Sequence, residues 1–352
     1  MNKSRSTHQI HGAPHILIDG FRHRIEPSSR IPEAYYILTH FHSDHYGGLT
    51  SKFNRGKIVC TPITKDLICS ILGVNAALVI PVDLNGTITL MNTKVTFCDA
   101  NHCPGAAILL IQLEDGSSVL HTGDMRFHPR MKCYPPLQRL FIDRIYLDTT
   151  YAHPKHDFLN QDHAIESVVK FCDEFLVQDP KGVVLLCAYN LGKERLITAV
   201  IDAVSKNAFV DEAKLKILQC LDEDMKDRIR KFQFVTSKQS SRFHICKFGI
   251  GGSVMPFFRP NFESLEEYRS DLIQTYNMEV SRIMVIIPTG WVAMNAYNKI
   301  HNRVEEGNCV IQLVPYSEHS NFAELKDCVQ HFKPREVVPT VFKDVYASHL
   351  YF

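Results

Sequence analysis

The chain has 352 residues, 45% of them hydrophobic and 22% charged, with a formal net charge of +1. That is an ordinary globular composition with enough apolar content for one large domain or two intimate ones. It excludes a protein whose bulk charge selects its partner, so any nucleic-acid contact has to come from local basic clusters. The 11 cysteines are an odd count with no CxxC pair, and the start is polar. Free, mostly buried thiols in a reducing compartment, nuclear or cytosolic, are the simplest reading. No apolar stretch approaches membrane-spanning length.

Residues 1–14 read as a loose N-terminal extension. Ile16-Leu17-Ile18 reads as a strand ending at Asp19. The apolar run Tyr35-Tyr36-Ile37-Leu38 then leads into His40-Phe41-His42-Ser43-Asp44-His45. This hexad holds four potential metal ligands in six residues at a strand-to-loop junction. Alternate residues of a strand share a face, so His40 and His42 can grip one ion. The chain then turns, and Asp44 and His45 can point at a second. Imidazole and carboxylate together suit Zn²⁺ and similar cations.

Lys94 to Cys98 and Ala106 to Leu113 read as strands flanking a turn, Asn101-His102-Cys103-Pro104-Gly105, that offers His102. Val119-Leu120-His121 is a strand running into Thr122-Gly123-Asp124, and Ile145-Tyr146-Leu147 is another ending at Asp148. A carboxylate has two oxygens, so Asp124 can bridge two cations while His102 completes the first site; such ions sit roughly 3.5–4 Å apart. Asp19 reads as a group that orients a ligand from behind.

After Asp148 the pattern becomes βα alternation. Val183 to Cys187 is a buried strand, followed by Asn190-Leu191-Gly192 and a helix with Leu196, Ile197, Val200, Ile201 and Val204 on one face. Asp222 to Phe232 is a charged helix; 237–281 resists assignment. Met284 to Ile287 and Cys309 to Val314 are strands, Phe322, Leu325, Val329 and Phe332 mark a helix, and Val337-Val338 begins a last strand. The alternation implies a separate parallel sheet, hence one domain interrupted by another over 156–290, flanked by 15–155 and 291–352.

Asp19, the hexad, His102 and Asp124 resemble the four successive motifs of the metallo-β-lactamase fold. Leu147-Asp148-Thr149-Thr150-Tyr151, Tyr316-Ser317-Glu318-His319-Ser320 and Pro339-Thr340-Val341 resemble the three motifs of its β-CASP subgroup. Val341 in the third motif, where RNA-acting members carry His, points to the DNA-acting branch. The chain is similar to the DNA cross-link repair nucleases, the group that includes Apollo and Artemis, and most to its 5′ exonucleases.

The resemblance implies an α/β fold: an αββα sandwich with metals at one edge, interrupted by an inserted α/β β-CASP domain. It implies a first metal on His40, His42, His102 and Asp124, a second on Asp44, His45 and Asp124, and zinc as the tightly bound ion. Asp44, Asp148 and His319 are the implied catalytic groups, His319 as proton donor to the leaving oxygen. Lys193 and Ser317 match positions of a pocket for a terminal 5′-phosphate. Lys193 also makes sense physically: it opens a helix beside a glycine, where backbone N–H groups favour an anion.

The implied activity is nuclear 5′→3′ exonuclease action in interstrand cross-link repair, by a monomer, on single-stranded DNA or a free 5′-phosphate end, with repair proteins as further partners. Structure-selective endonuclease action, and hydrolysis of small esters or lactams on the same fold, stay open as alternatives. DNA contacts fall to Lys226, Arg228, Arg230 and Lys231, or to Lys238, Arg242 and Lys247. The chain ends at Phe352, soon after the third motif, where members of the group usually continue. Met125 stands where they usually carry an aromatic.

Overall fold

The computed structural model describes residues 8–26, 28–138, 140–156, 158, 160–231, 233–254, 258–291 and 302–341. They form two units, one from residues up to Pro154 together with those from Glu318 onward, the other from Lys155 to Ser317. Among the described residues no helix is long and apolar enough to cross a membrane.

The first unit opens with β1 (Ile16–Ile18), β2 (Tyr35–Ile37), β3 (Lys57–Cys60), α1 (Pro62–Leu72) and β4 (Val79–Pro81). The four strands pair in parallel in chain order. Thr61 caps α1 by accepting from the Thr64 N–H, Pro62 occupies the first turn where no N–H is needed, and Gly73 closes the helix with φ 69°. A second sheet follows: β5 (Thr87–Leu90), β6 (Thr93–Asp99), β7 (Ala107–Gln112), β8 (Ser118–His121) and β9 (Arg144–Leu147). Its first four strands are antiparallel neighbours, and β9 pairs in parallel with β8.

The two sheets share one core. Ile16, Ile18, Tyr35, Ile37 and Val59 from the first meet Val95, Phe97, Leu109, Ile111, Val119 and Tyr146 from the second. Every second residue faces inward, as strand geometry requires. Residues 8–14 do not hang loose as the sequence reading expected. Ile10 and Ala13 are buried in that core, and the Ile18 N–H donates to the His8 carbonyl at 2.8 Å. Two buried apolar side chains and the hydrogen bonds between His8 and Ile18 hold the segment down.

The second unit contains α2 (Gln161–Gln178), β10 (Val183–Cys187), α3 (Glu194–Val200), β11 (Ala208–Phe209), α4 (Glu212–Leu218), α5 (Glu223–Arg230), β12 (Phe234–Val235), β13 (Phe243–Cys246), β14 (Gly252–Ser253), β15 (Arg259–Pro260), α6 (Phe262–Gln274), β16 (Ile283–Pro288), β17 (Arg303–Glu306) and β18 (Cys309–Val314). Its main sheet runs β12-β11-β13-β10-β16-β18-β17 and is parallel except for the edge strand β17. Burial on both faces explains why β10 and β16 read as unbroken apolar runs and why β18 is apolar except for Gln312.

The unit ends at Ser317, not at 290. Pro288-Thr289-Gly290 looks like an exit from the insert, yet β18 pairs in parallel with β16 along its whole length, Ile283 with Cys309 through Pro288 with Val314. The expected charged helix is α5; Phe232, placed at its end, lies outside the described residues. The unassigned stretch 237–281 contains β13 and the four-turn α6.

The chain then returns to the first unit with α7 (Phe322–Phe332) and β19 (Glu336–Pro339), which pairs in parallel with β9 and completes a six-stranded sheet. A reciprocal capping box of Asn321 and Glu324 starts α7.

One buried imidazole gives the second unit a pH dependence. His244 on β13 accepts from the Tyr268 hydroxyl through Nδ1 at 2.9 Å, and its Nε2–H donates to the carbonyls of Lys238 and Ser241. Burial lowers its pKa to about 4. The unfolded chain, with His near 6.5, therefore binds more protons between those values, and stability falls as pH drops from about 6.5 towards 4. We expect a loss of about 2 kcal/mol between pH 7 and 5 from this group. Urea titrations at both pH values check this, and His244→Gln should flatten the slope by that amount.

Candidate metal centre

The side chains that carry the sequence motifs lie just beyond the carboxyl ends of strands that run the same way within their sheets. Asp19 follows β1, His40 follows β2, His102 follows β6, Asp124 follows β8 and Asp148 follows β9. The two loop systems are stitched by the Ala107 N–H, which donates to the Thr39 carbonyl at 3.0 Å. Gly123 sits against Thr39 with φ 53°; a Cβ there would come within 3.0 Å of the threonine side chain. Glycine is thus required twice over, by conformation and by the close approach.

His40 Nε2, His42 Nδ1, His102 Nε2 and an Asp124 oxygen all lie within 4.8 Å of one another. The His42 nitrogen is 3.0 Å from that of His40 and 3.1 Å from that of His102; Asp124 Oδ2 is 3.7 and 3.8 Å from His40 and His102. Nitrogens about 2.0–2.1 Å from a tetrahedral ion stand roughly 3.3 Å apart, so this cage has the size of such a site. Asp44, His45 and Asp124 form a second group, with Asp124 Oδ1 at 3.3 Å from His45 Nε2. One carboxylate therefore presents a different oxygen to each group. Asp124, Asp148 and His319 form a third.

Each ring is aimed from behind. Asp19 accepts from the Thr39 N–H at 2.8 Å, from the Thr39 hydroxyl at 2.7 Å and from His45 Nδ1–H at 2.8 Å. The Thr39 hydroxyl, its proton committed to Asp19, accepts from His40 Nδ1–H at 3.0 Å. His102 Nδ1–H donates to the Glu318 carbonyl at 2.8 Å. In all three rings Nδ1 is engaged from behind, so Nε2 faces inward. Asp148 accepts from the Met125 N–H, from both donors of Thr150 and from His319 Nδ1–H at 2.8 Å, while His319 Nε2 stands 3.9 Å from Asp124. Asp148 thus holds His319.

Met125 takes part through its backbone: its carbonyl accepts from the N–H and the hydroxyl of Ser320, which fixes the loop carrying His319. Val341 exchanges backbone hydrogen bonds with the Thr149 side chain, at 2.7 and 3.2 Å. Thr39 escapes the sequence reading, and Thr150, Glu318 and Ser320 stand in its motifs without a role, because they act through hydroxyls and carbonyls, which carry no ligand signature. Only the position of Thr39, directly before the hexad, hints at a role.

Charge divides the histidines. Burial pushes His40 well below the usual imidazole range, and the neighbouring His45 and His42 add to this; burial and His319 do the same to His102. Burial also opposes charge on His45, but Asp124 and Asp19 outweigh it and the ring ends well above that range. Burial would raise Asp124, yet His45 and His319 hold it well below the usual carboxylate range.

Within the second unit, Lys193 is 4% exposed, so it is not a solvated surface lysine. Its Nζ lies 5.4, 5.4 and 5.3 Å from the ring centroids of Tyr189, Phe248 and Tyr316, the last being the residue before Ser317. The helix terminus contributes less than expected. The helix after Lys193 has seven residues, and the Gly192 N–H is taken by the Glu194 carboxylate at 2.9 Å. Ser317 is buried and its carbonyl accepts from Gln161 at 3.3 Å.

The basic clusters are engaged with acids of their own unit: Lys226 with Glu223, Arg228 with Asp202 and Asp224, Arg230 with Asp227, Lys238 with Asp271, and Lys247 with Asp211. Arg242 donates to the Lys181 and Glu279 carbonyls. They read as solvated or structural charge pairs rather than a prepared groove.

Residues 229–345 match the DNA repair metallo-beta-lactamase family. The chain is 33% identical to the DNA cross-link repair protein SNM1 of Arabidopsis thaliana, over 95% of this chain and 65% of that protein. It is 33% identical to the human DNA cross-link repair 1A protein over 87% of this chain and 28% of that protein. With the 5' exonuclease Apollo of Gallus gallus the identity is 28%, over 96% and 64%. The chain thus spans less than two thirds of the length of these relatives. Among solved structures, a protein of unknown function from Enterococcus faecalis superposes with a TM-score of 0.52 at 14% identity, over 90% of this chain and 77% of that one, a likeness of fold.

The His319–Asp148 pair is open to direct measurement. Burial opposes charge on His319, but Asp148 and then Asp124 raise its pKa to about 9. In metal-free protein an NMR titration of the ring should give that value. In Asp148→Asn, with the main stabilising carboxylate gone, the ring should titrate well below it.

Proposed function

Since the chain belongs to the metallo-β-lactamase/β-CASP family of DNA cross-link repair proteins, we propose that it is a metal-dependent 5′→3′ DNA exonuclease acting from a 5′-phosphorylated end. The observation that carries the reading is Asp124, whose two oxygens face two separate groups of histidine and carboxylate donors. A donor set of this kind is what a two-metal phosphodiesterase needs. A small-ester hydrolase has no use for a buried lysine in a separate unit.

His40, His42, His102 and Asp124 would hold the first cation, for which zinc suits the three imidazoles, and Asp44, His45 and Asp124 the second. Bound cations supply Lewis acidity at the scissile phosphate and make water a competent nucleophile near neutral pH. Asp19 and Thr39 keep the Nε2 atoms of His45 and His40 turned inward, and the Glu318 carbonyl does so for His102. His319, steered by Asp148 through its Nδ1–H, stands ready to protonate the departing 3′-oxygen. Lys193 is the chain's recognition group for the terminal phosphate, with Ser317 beside Tyr316 as its companion. The substrate is single-stranded DNA or a free 5′-phosphate end. The setting is interstrand cross-link repair in the nucleus, by a monomer that meets other repair proteins.

The test is a 3′-labelled single strand carrying either a 5′-phosphate or a 5′-hydroxyl, sampled over time. A ladder that shortens from the 5′ end and strongly prefers the phosphate is expected. Discrete internal cuts indifferent to the 5′ group would instead mean a structure-selective endonuclease. Asp124→Asn should lower turnover on the order of 10²–10³-fold, the range for losing one electrostatic stabiliser. Elemental analysis of that variant should show less bound metal than wild type. A chelator should abolish cutting, with zinc the first cation to try for its return.

A further inference from the structure

The loop that presents Lys193 is closed by a buried ion pair that the metal chemistry does not use. Lys214, on α4, and Glu194, the first residue of α3, are each 7% exposed in their side chains, and Lys214 Nζ lies 2.8 Å from Glu194 Oε1. The same ammonium donates to the carbonyls of Asn190 at 2.9 Å and Tyr189 at 3.4 Å. The Glu194 carboxylate accepts from the Gly192 N–H at 3.0 and 2.9 Å. Every donor and acceptor in this set therefore ties down one short segment, Tyr189 to Glu194.

That segment needs tying down. Gly192 has φ 117° and Lys193 φ 66°, and a non-glycine residue seldom adopts the left-handed region. This conformation brings the Lys193 ammonium among Tyr189, Phe248 and Tyr316. Tyr189 belongs to the loop itself, so its carbonyl bond to Lys214 places one wall of the cage as well. A buried charge pair is weak evidence for stability, since its desolvation offsets its attraction. A role in geometry accounts for it better.

We infer that Lys214 and Glu194 are positioning residues that set the strained Lys193 turn for recognition of a terminal phosphate. The inference rests on the proposed 5′-end reading. It predicts that neutralising the pair mimics loss of Lys193 without touching the cation.

The experiment is steady-state cleavage of 5′-phosphorylated and 5′-hydroxyl single strands by metal-loaded full-length protein: wild type, Lys193→Ala, Lys214→Met, Lys214→Arg and the double variant Lys214→Met/Glu194→Gln. The double variant leaves no lone buried charge, so it keeps the test valid should Lys214→Met fail to fold; thermal unfolding reports which variants are folded. Lys214→Met and the double variant should raise KM for the phosphorylated strand at least about tenfold, the lower end for groups that orient a binding residue from behind. The loss should fall on KM rather than kcat, the preference for phosphate over hydroxyl should shrink as it does in Lys193→Ala, and Lys214→Arg should recover part of it. If Lys193→Ala loses the preference while the folded double variant keeps it, the positioning role is overturned and the pocket stands. If Lys193→Ala keeps the preference, the pocket and the positioning role both fall.

Discussion

A buried carboxylate shared by two groups of side chains, His40, His42 and His102 in one and Asp44 and His45 in the other, is the constraint around which the first unit is built. Asp124 lies among His40, His45, His102 and His319, and burying that many ionisable groups is costly unless their charges are arranged. The arrangement follows from what stands behind each ring. His45 is backed by the Asp19 carboxylate and His319 by Asp148, and both are driven towards the charged form. His40 is backed by a hydroxyl and His102 by a carbonyl, and both are driven towards the neutral form. Without a cation, Asp124 together with Asp19 and Asp148 favours the protons on His45 and His319. A cation held by the first group would find His40 and His102 driven towards the neutral form with Nε2 facing inward, and one held by the second group would have to displace a proton from His45.

The backing groups explain why the fold has two sheets here. Asp19 and Thr39 come from adjacent parallel strands of the first sheet, so one backbone hydrogen bond from Thr39 to Asp19 fixes both histidines. His102, Asp124 and Asp148 come from the ends of strands in the second. A rigid core joins the sheets, and so the donor distances are set by strand packing rather than by loop conformation. Gly123 allows the closest crossing of the two loop systems.

Much of this was legible in the sequence because ligand chemistry is short-range. The hexad announces itself within six residues, and His102 and Asp124 stand at strand ends marked by Pro, Gly and Thr. Strand runs such as Val183 to Cys187 and the parallel second sheet followed from local patterning, whereas the fold class followed from the family resemblance of the motifs. What failed depends on pairing over distance. No local signal says that β18 returns to β16, so the insert was ended at 290 rather than at Ser317. Nor does one say that Ile10 and Ala13 reach the core. The first basic cluster reads in the sequence as a solvated helix face, and its acids at three- and four-residue spacing agree, whereas the partners Asp202 of Arg228 and Asp271 of Lys238 are distant in the chain and carry no local signal.

Lys193 shows the same limit in sharper form. Its neighbours in the sequence suggested an anion site at a helix terminus, whereas its surroundings come from positions 189, 248 and 316. Three ring faces accept the electrostatic demand of an ammonium without neutralising it, because a quadrupole attracts a cation yet leaves its full charge to act outward. The unit does bury a carboxylate close by in the chain, Glu194, but pairs it with a second lysine, Lys214, and with the Gly192 N–H. Lys214 thus occupies the acid that follows Lys193 in the chain, and both members of the pair are committed to holding the turn from Tyr189 to Glu194.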